Sequence, residues 1–228
     1  MIYPPVVVLI LARGGSKGIK LKNLQQVGGA SLIWRAARTC ANAESIDRVF
    51  VYSDHPEILQ EGERAGARGV ERPAEESGDR QTSEEGVQSF LRAHNMGTAD
   101  IMLVQATSPF LRTAHVDEAV GALHSRYSAL DSVISVYPVV NYLGFFSPGD
   151  YWRPLYPERW RRQDFTPDLY AESGALYLSK RSVWDSGRRM RDRTGIVGVG
   201  RWESIEIDDQ EDLEIANAIA RGKETAHA

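Results

Sequence analysis

A short aliphatic run, Val6 to Leu11, followed at once by the loop Ala12-Arg13-Gly14-Gly15-Ser16-Lys17-Gly18, constrains this chain more than any other feature. The run has no polar alternation, so as a strand it must be covered on both faces, as in a parallel sheet flanked by helices. The unit then recurs. Ser31 opens a helix with the apolar stripe Leu32, Ile33, Ala36, Ala37 and Cys40. Arg48 to Ser53 reads as a second strand ending at Asp54, and Pro56 begins a second helix. Thr82 to Glu85 fits a capping box ahead of Val87, Phe90 and Leu91. Ile101 to Gln105 is an apolar strand, and Thr113 starts another helix. Strand, loop and helix in alternation predict an α/β fold with a mostly parallel, Rossmann-like sheet, and ligands at the carboxyl ends of its strands.

The regularity breaks between 139 and 170. Residues 141–168 hold Tyr142, Phe145, Phe146, Tyr151, Trp152, Tyr156, Trp160 and Phe165, with prolines at 148, 154, 157 and 167. This reads as an excursion, without a clean helix or strand pattern, that covers a partner subunit or a pocket. Strands resume at Gly174 to Ser179 and at Ser204 to Ile207. Asp208 and Asp209 then cap a final helix through Ile219, and Gly222 to Ala228 read as a frayed tail. At 228 residues, with 42% hydrophobic and 25% charged side chains, the chain is expected to be one globular domain spanning 1–228, not a disordered segment.

Charge and cysteine narrow the function classes. The 27 basic and 31 acidic residues leave a net charge of −4, which argues against nucleic acid or an anionic membrane as the partner. The basic stretch Arg188 to Arg193 therefore reads as a solvated loop, and the five histidines, which share no metal-ligand spacing, as mostly superficial. The lone Cys40 excludes an intramolecular disulfide and CxxC zinc sites. The apolar run Pro4 to Ala12 is too short to span a membrane and has its cations after it instead of before it, so a soluble, cytoplasmic protein is expected.

Glycines after a first buried strand let the backbone approach phosphate oxygens. Neither G-x-x-x-x-G-K-[ST] nor G-x-G-x-x-G occurs at the loop, so neither a P-loop kinase nor a dinucleotide dehydrogenase is expected. What remains is a loop flanked by Arg13, Lys17, Lys20 and Lys22. Four cations so close suit a triphosphate; a tight turn with solvated lysines is the competing reading.

Leu11 to Asn23, read as LARGGSKGIKLKN, resembles the signature of the CMP-sialic acid synthetases (acylneuraminate cytidylyltransferases). Further segments are similar to that family's motifs and come in the same order: Arg72-Pro73-Ala74-Glu75 with Asp79, Leu103 to Arg112 (LVQATSPFLR), Arg162-Gln163-Asp164, Gly174-Ala175-Leu176-Tyr177 and Ile205-Glu206-Ile207-Asp208. The resemblance implies a three-layer nucleotidyltransferase sheet with a small dimerisation excursion at 139–170, working as a homodimer. It also implies CMP transfer from CTP to the anomeric hydroxyl of a nonulosonic or related keto-sugar acid, with Mg²⁺ as cofactor and Mn²⁺ as an alternative.

The same resemblance assigns roles by position. Leu11, Ala12, Arg13, Gly15, Ser16, Lys17, Lys22 and Asn23 would hold the nucleotide, with Arg72 and Asp79 on the cytidine side. Lys22, Arg13 and Asp208 would act at the reacting centre. Gln105, Thr107, Ser108, Arg162, Gln163, Ser173 and Tyr177 would meet the acceptor. Asp208 and Glu206 would hold the metal, since alternate residues of a strand share a face; Asp208 also fits a helix N-cap, but the resemblance favours the metal role.

Three departures concern the acceptor and the metal. Glu206 stands where the family usually has Asp. No His-Pro-x-Lys-like stretch follows Ser132-Val133-Ile134-Ser135, and Ser173-Gly174 replaces the usual Asn-Gly. The same chemistry on a different anionic acceptor, a nucleotide-sugar glycosyltransferase using Asp208 and Asp209, and a non-catalytic nucleotide-binding relative are the competing expectations.

Overall fold

The computed structural model describes residues 3–16, 18–78, 80–139, 143–147, 151–154, 158, 161 and 169–226. Lys17, Asp79, Tyr142, Tyr156, Trp160, Arg162, Gln163 and Phe165, all singled out in the sequence, lie outside them.

A seven-stranded sheet forms the centre. Its strands are β1 (Val6–Leu11), β4 (Arg48–Ser53), β5 (Arg68–Glu71), β6 (Asp100–Val104), β7 (Ser132–Pro138), β10 (Tyr170–Ser179) and β11 (Thr194–Gly198), in the order β11-β7-β10-β6-β1-β4-β5. β10 runs antiparallel to its neighbours β6 and β7, and every other pairing is parallel. Two small pairs complete the described strands: β2 (Gln26–Val27) with β3 (Ala30–Ser31), and the antiparallel β8 (Gly144–Ser147) with β9 (Tyr151–Pro154). The excursion thus contains a strand pair, where no pattern was expected from its sequence.

The two faces of β1 explain the layers. Val6, Val8 and Ile10 pack with α1 (Leu32–Ala41), α2 (Pro56–Arg64) and α4 (Thr113–Ser125). Val7 and Leu9 pack on the other face with α3 (Ser83–Ala93) and with Trp184 of α5 (Arg181–Asp185). Both faces are buried, as the unbroken run requires. A third cluster joins Leu213, Ala216 and Ala220 of α6 (Gln210–Ala226) to Ile19, Val27, Leu32, Phe110 and Ile207. None of the described helices is long and apolar enough to cross a membrane.

The local signals hold at the helix starts. Ser31 Oγ accepts the Trp34 N–H at 3.2 Å, a cap that stabilises by about 1 kcal/mol. Thr82 and Glu85 form the full capping box. Cys40 is buried, which pushes its thiol up to about 12.

Two expectations need correction. Ser204 to Ile207 is no strand: Ile207 is tied by its N–H to Thr107 O at 2.8 Å, and the segment joins no sheet. The final helix passes Ile219 and Gly222 and runs to Ala226, because Ala216 and Ala220 keep its inner face packed. Among the histidines His115 is buried. The basic stretch is a largely exposed loop, with Arg189 and Arg193 ion-paired to Glu84 and Asp131 at 2.6 and 2.8 Å.

Candidate active site

β1 sends its successor strand β4 to one side, while β6 lies on the other, so the carboxyl ends of β1 and β6 flank the point where the winding reverses. Such a point leaves a crevice. A cavity of about 260 Å³ fills it, lined by Leu11, Arg13, Gly15, Ser16, Lys22, Asn23, Arg72, Gln81, Thr82, Ser83, Gln105, Ala106 and Thr107.

The glycine loop forms one wall. Gly14 donates its N–H to Asp54 Oδ1 at 2.8 Å and packs on His55, whose ring a Cβ would approach to 2.9 Å. Among the described residues a Cβ on Gly15 would meet nothing within 4 Å beyond its chain neighbours, so this glycine leaves room on the cavity side. Asn23 is buried, and its Nδ2 donates to Arg13 O at 3.0 Å, locking the loop as well as lining the cavity. Gly18 lies so close to the Asp208 carbonyl that any side chain there would collide with it.

Lys22 begins a single 3-10 turn, Lys22–Leu24, after Leu21 in the left-handed region at φ 49°. Its Nζ donates to Ile207 O at 2.8 Å and to Asp208 Oδ1 at 3.1 Å. That answers the question left open for Asp208. Asp209 Oδ1 accepts the Asp212 N–H at 3.0 Å, so Asp209 is the helix cap. The Asp208 carboxylate is 74% exposed and turned to Lys22.

The opposite wall is built on Arg72. It is buried, its guanidinium lies 5.6 Å from the Tyr52 ring centroid, and burial holds its pKa below the usual arginine value. Its Nε has no hydrogen-bond partner among the described residues. Gly86 of α3 makes room for it: a Cβ there would stand 3.0 Å from the guanidinium. The start of α3 adds Gln81, Thr82 and Ser83, which sequence reasoning did not assign to the site. The capping box was the available signal, because a helix N-terminus presents backbone N–H groups to anions.

The third wall follows β6. Gln105 is anchored by its N–H to Ala175 O at 3.0 Å, and Thr107 Oγ1 donates to Glu206 Oε1 at 3.1 Å. β10 bulges here, with its register shifting between Glu172 and Tyr177. Gly174 turns at φ +76°, and a Cβ on it would come 2.9 Å from Glu206 Oε2. Burial, and then the charge of Asp208, raise the Glu206 pKa above the ordinary carboxylate value. These two carboxylates therefore sense each other, without a strand to align them.

The remaining assigned residues fall elsewhere. Ala12 is buried beneath the loop, with its N–H bonded to Tyr52 O. Ser108 is buried and its Oγ has no partner among the described residues. Ser173 is buried with its Oγ 2.6 Å from Ser135 Oγ, stitching the bulge. Tyr177 donates to Glu172 Oε2 at 2.9 Å, under Arg189, and burial pushes its hydroxyl up to about 12. Ala12, Ser108, Ser173 and Tyr177 are not among the residues lining the cavity.

No group of three or more His, Cys, Asp or Glu side chains is arranged to hold a metal ion among the described residues. Two carboxylates, Glu206 and Asp208, suit a hard cation that keeps waters and substrate oxygens as its other ligands, which is the habit of Mg²⁺.

Comparison with known proteins bears on the family and the fold. Over 91% of the chain, the sequence is 33% identical to N-acylneuraminate cytidylyltransferases B and A of Danio rerio. The chain spans about half the length of these curated relatives, 49% in both cases. The structure of a CMP:2-keto-3-deoxy-manno-octonic acid synthetase complexed with CTP superposes with a TM-score of 0.70 over 96% of this chain and 99% of that one, at 16% identity, and so shares the fold. Residues 7–144 match the family model described as cytidylyltransferase, and the chain belongs to that family.

Proposed function

We propose that this chain transfers CMP from CTP to the anomeric hydroxyl of a nonulosonic or related keto-sugar acid and releases pyrophosphate. The observation that carries the reading is the placement of Lys22 between the glycine loop and Asp208 at the edge of a polar cavity. Relatives named N-acylneuraminate cytidylyltransferase support the substrate class.

In the reaction the acceptor oxygen attacks the α-phosphorus. A new P–O bond forms as the bond to the bridging oxygen of pyrophosphate breaks, and the hydroxyl proton passes to water. Such displacement depends on positioning and charge neutralisation. Arg13, with Lys17, neutralises the triphosphate. Lys22 reaches the reacting phosphate, and its anchor on Ile207 O keeps the ammonium from swinging into solvent. Arg72 borders the base, with an Nε that has no partner among the described residues and a face already packed on Tyr52. Gln105 and Thr107 line the acceptor side, and the family resemblance gives Arg162 a contact with the acceptor's carboxylate. Glu206 and Asp208 would hold Mg²⁺, which when bound supplies charge neutralisation and polarisation of the phosphate oxygens. A cytoplasmic homodimer, with residues 139–170 at its interface, completes the proposal.

Pyrophosphate release with each of the four NTPs and a panel of nine- and eight-carbon keto-sugar acids is the test. Release with CTP and one acid, and with no other NTP, is expected. Turnover of a nucleotide-sugar donor instead, or CTP binding without release with any acid, would overturn the reading.

A further inference from the structure

The segment that carries Glu206 and Asp208 joins no strand, so something else must set its place. The contacts that do so converge on the stretch 107–115. Ile207 is bonded to Thr107 O, and Glu206 to Thr107 Oγ1. Trp202 meets Phe110 edge to face at 5.4 Å. The main tie is Glu203, whose side chain is only 5% exposed. Its Oε1 lies 2.7 Å from Arg112 Nε. Its Oε2 accepts the Gly200 N–H at 2.6 Å and faces His115 Nε2 at 3.5 Å. His115 is fixed in turn, since its Nδ1 accepts the Arg112 backbone N–H at 3.3 Å.

Gly200 closes the device. Glu203 and Ser204 donate their N–H groups to Gly200 O at 2.9 and 3.0 Å, and a Cβ on Gly200 would come 2.9 Å from Glu203 Oε2. The turn at 200–204 and the start of α4 are therefore clasped by one buried carboxylate. The carboxylates at 206 and 208 follow within five residues of it.

We propose that Glu203, held by Arg112 and His115, is a positioning residue that sets Glu206 and Asp208 for the divalent cation. The inference rests on the cytidylyltransferase reading for the role of those two carboxylates. Glu203 does not line the cavity; it acts through the backbone. Buried groups that orient ligating side chains typically change metal affinity or activity about 10- to 100-fold when altered.

The experiment is direct Mn²⁺ binding to the full chain with CTP present, read from the free-ion resonance, for the unsubstituted protein, Glu203→Gln and Arg112→Gln. CTP binding without metal and thermal melting are measured on the same samples. Both variants are expected to bind Mn²⁺ about tenfold more weakly while binding metal-free CTP as before. A folded Glu203→Gln that melts lower but takes up Mn²⁺ like the unsubstituted chain would make the clasp merely structural and overturn the proposal. Arg112 is more than half exposed, so Arg112→Gln keeps the test decisive if Glu203→Gln does not fold. Absence of Mn²⁺ uptake by the unsubstituted chain overturns it equally. Absence of CMP transfer, with the Mn²⁺ difference intact, would sink the proposed reaction and leave the clasp standing.

Discussion

Lys22 Nζ lies 3.1 Å from Asp208 Oδ1, across 186 positions of the chain, and the same ammonium holds the carbonyl of Ile207. The cation at the end of the glycine loop and the carboxylate before the last helix thus form one unit. Lys22 is largely covered while Asp208 is largely exposed. Solvent screens such a pair, so it adds little to stability.

Lys22→Ala should leave the fold intact and lower kcat by about 100-fold or more, the scale of losing one group aimed at developing charge. Initial rates at saturating CTP on a protein with an unchanged circular dichroism spectrum check this. A folded variant with normal kcat removes Lys22 from the reacting centre.

Asp208 and Asp209 should separate cleanly. Asp209 is the cap, so Asp209→Ala should cost about 1 kcal/mol of stability and leave the Mg²⁺ titration in place. Asp208→Asn should do the reverse, with an unchanged melting temperature and a Mg²⁺ requirement shifted upward. Thermal melts and Mg²⁺ titrations on the two proteins decide it; an identical titration for Asp208→Asn takes it out of the metal site.

Gly174→Ala asks whether the β10 bulge shapes the acceptor side. The position is strained for any side chain, and Glu206 Oε2 stands where the methyl group would press. A stability loss of about 1–3 kcal/mol is expected, with KM for the acceptor rising more than KM for CTP. Equal changes in both constants would place the bulge outside acceptor recognition.

Asp100, buried at the far end of the sheet, has its pKa pushed up to about 6 by burial, against the opposing pull of Tyr127 and Arg181. The folded state therefore binds this proton more tightly than the unfolded chain does. The stabilisation is complete below the unfolded value near 3.8 and is lost as pH rises through about 6. Asp100→Asn should gain about 1 kcal/mol over the original at pH 7.5 and nothing at pH 4, measured by denaturant titration. A gain that does not vary with pH would place the Asp100 charge outside the balance.

Features decided by neighbours in sequence were legible in advance. The β1 run, the Ser31 cap and the Thr82–Glu85 box each depend on a few adjacent residues, and each stands where it was expected. Ile205 and Ile207 misled for the same reason. Their alternation is that of a strand, but a strand exists only through its partner, and here the partner is the Thr107 carbonyl of a loop. Whether Asp208 serves as the helix cap was likewise open until the Asp212 N–H was placed on Asp209.

By itself the sequence determined the layer order, the glycine loop, the family and most of the cavity lining, because periodicity, capping and contiguous motifs are local properties. Tertiary structure alone decided that Glu203 meets Arg112 and His115, that Ser173 and Tyr177 serve the bulge, and that Asp208 turns to Lys22. Those pairings join segments whose relative register is set by close packing of the whole sheet and its helices, and packing of distant parts leaves no mark on local spacing.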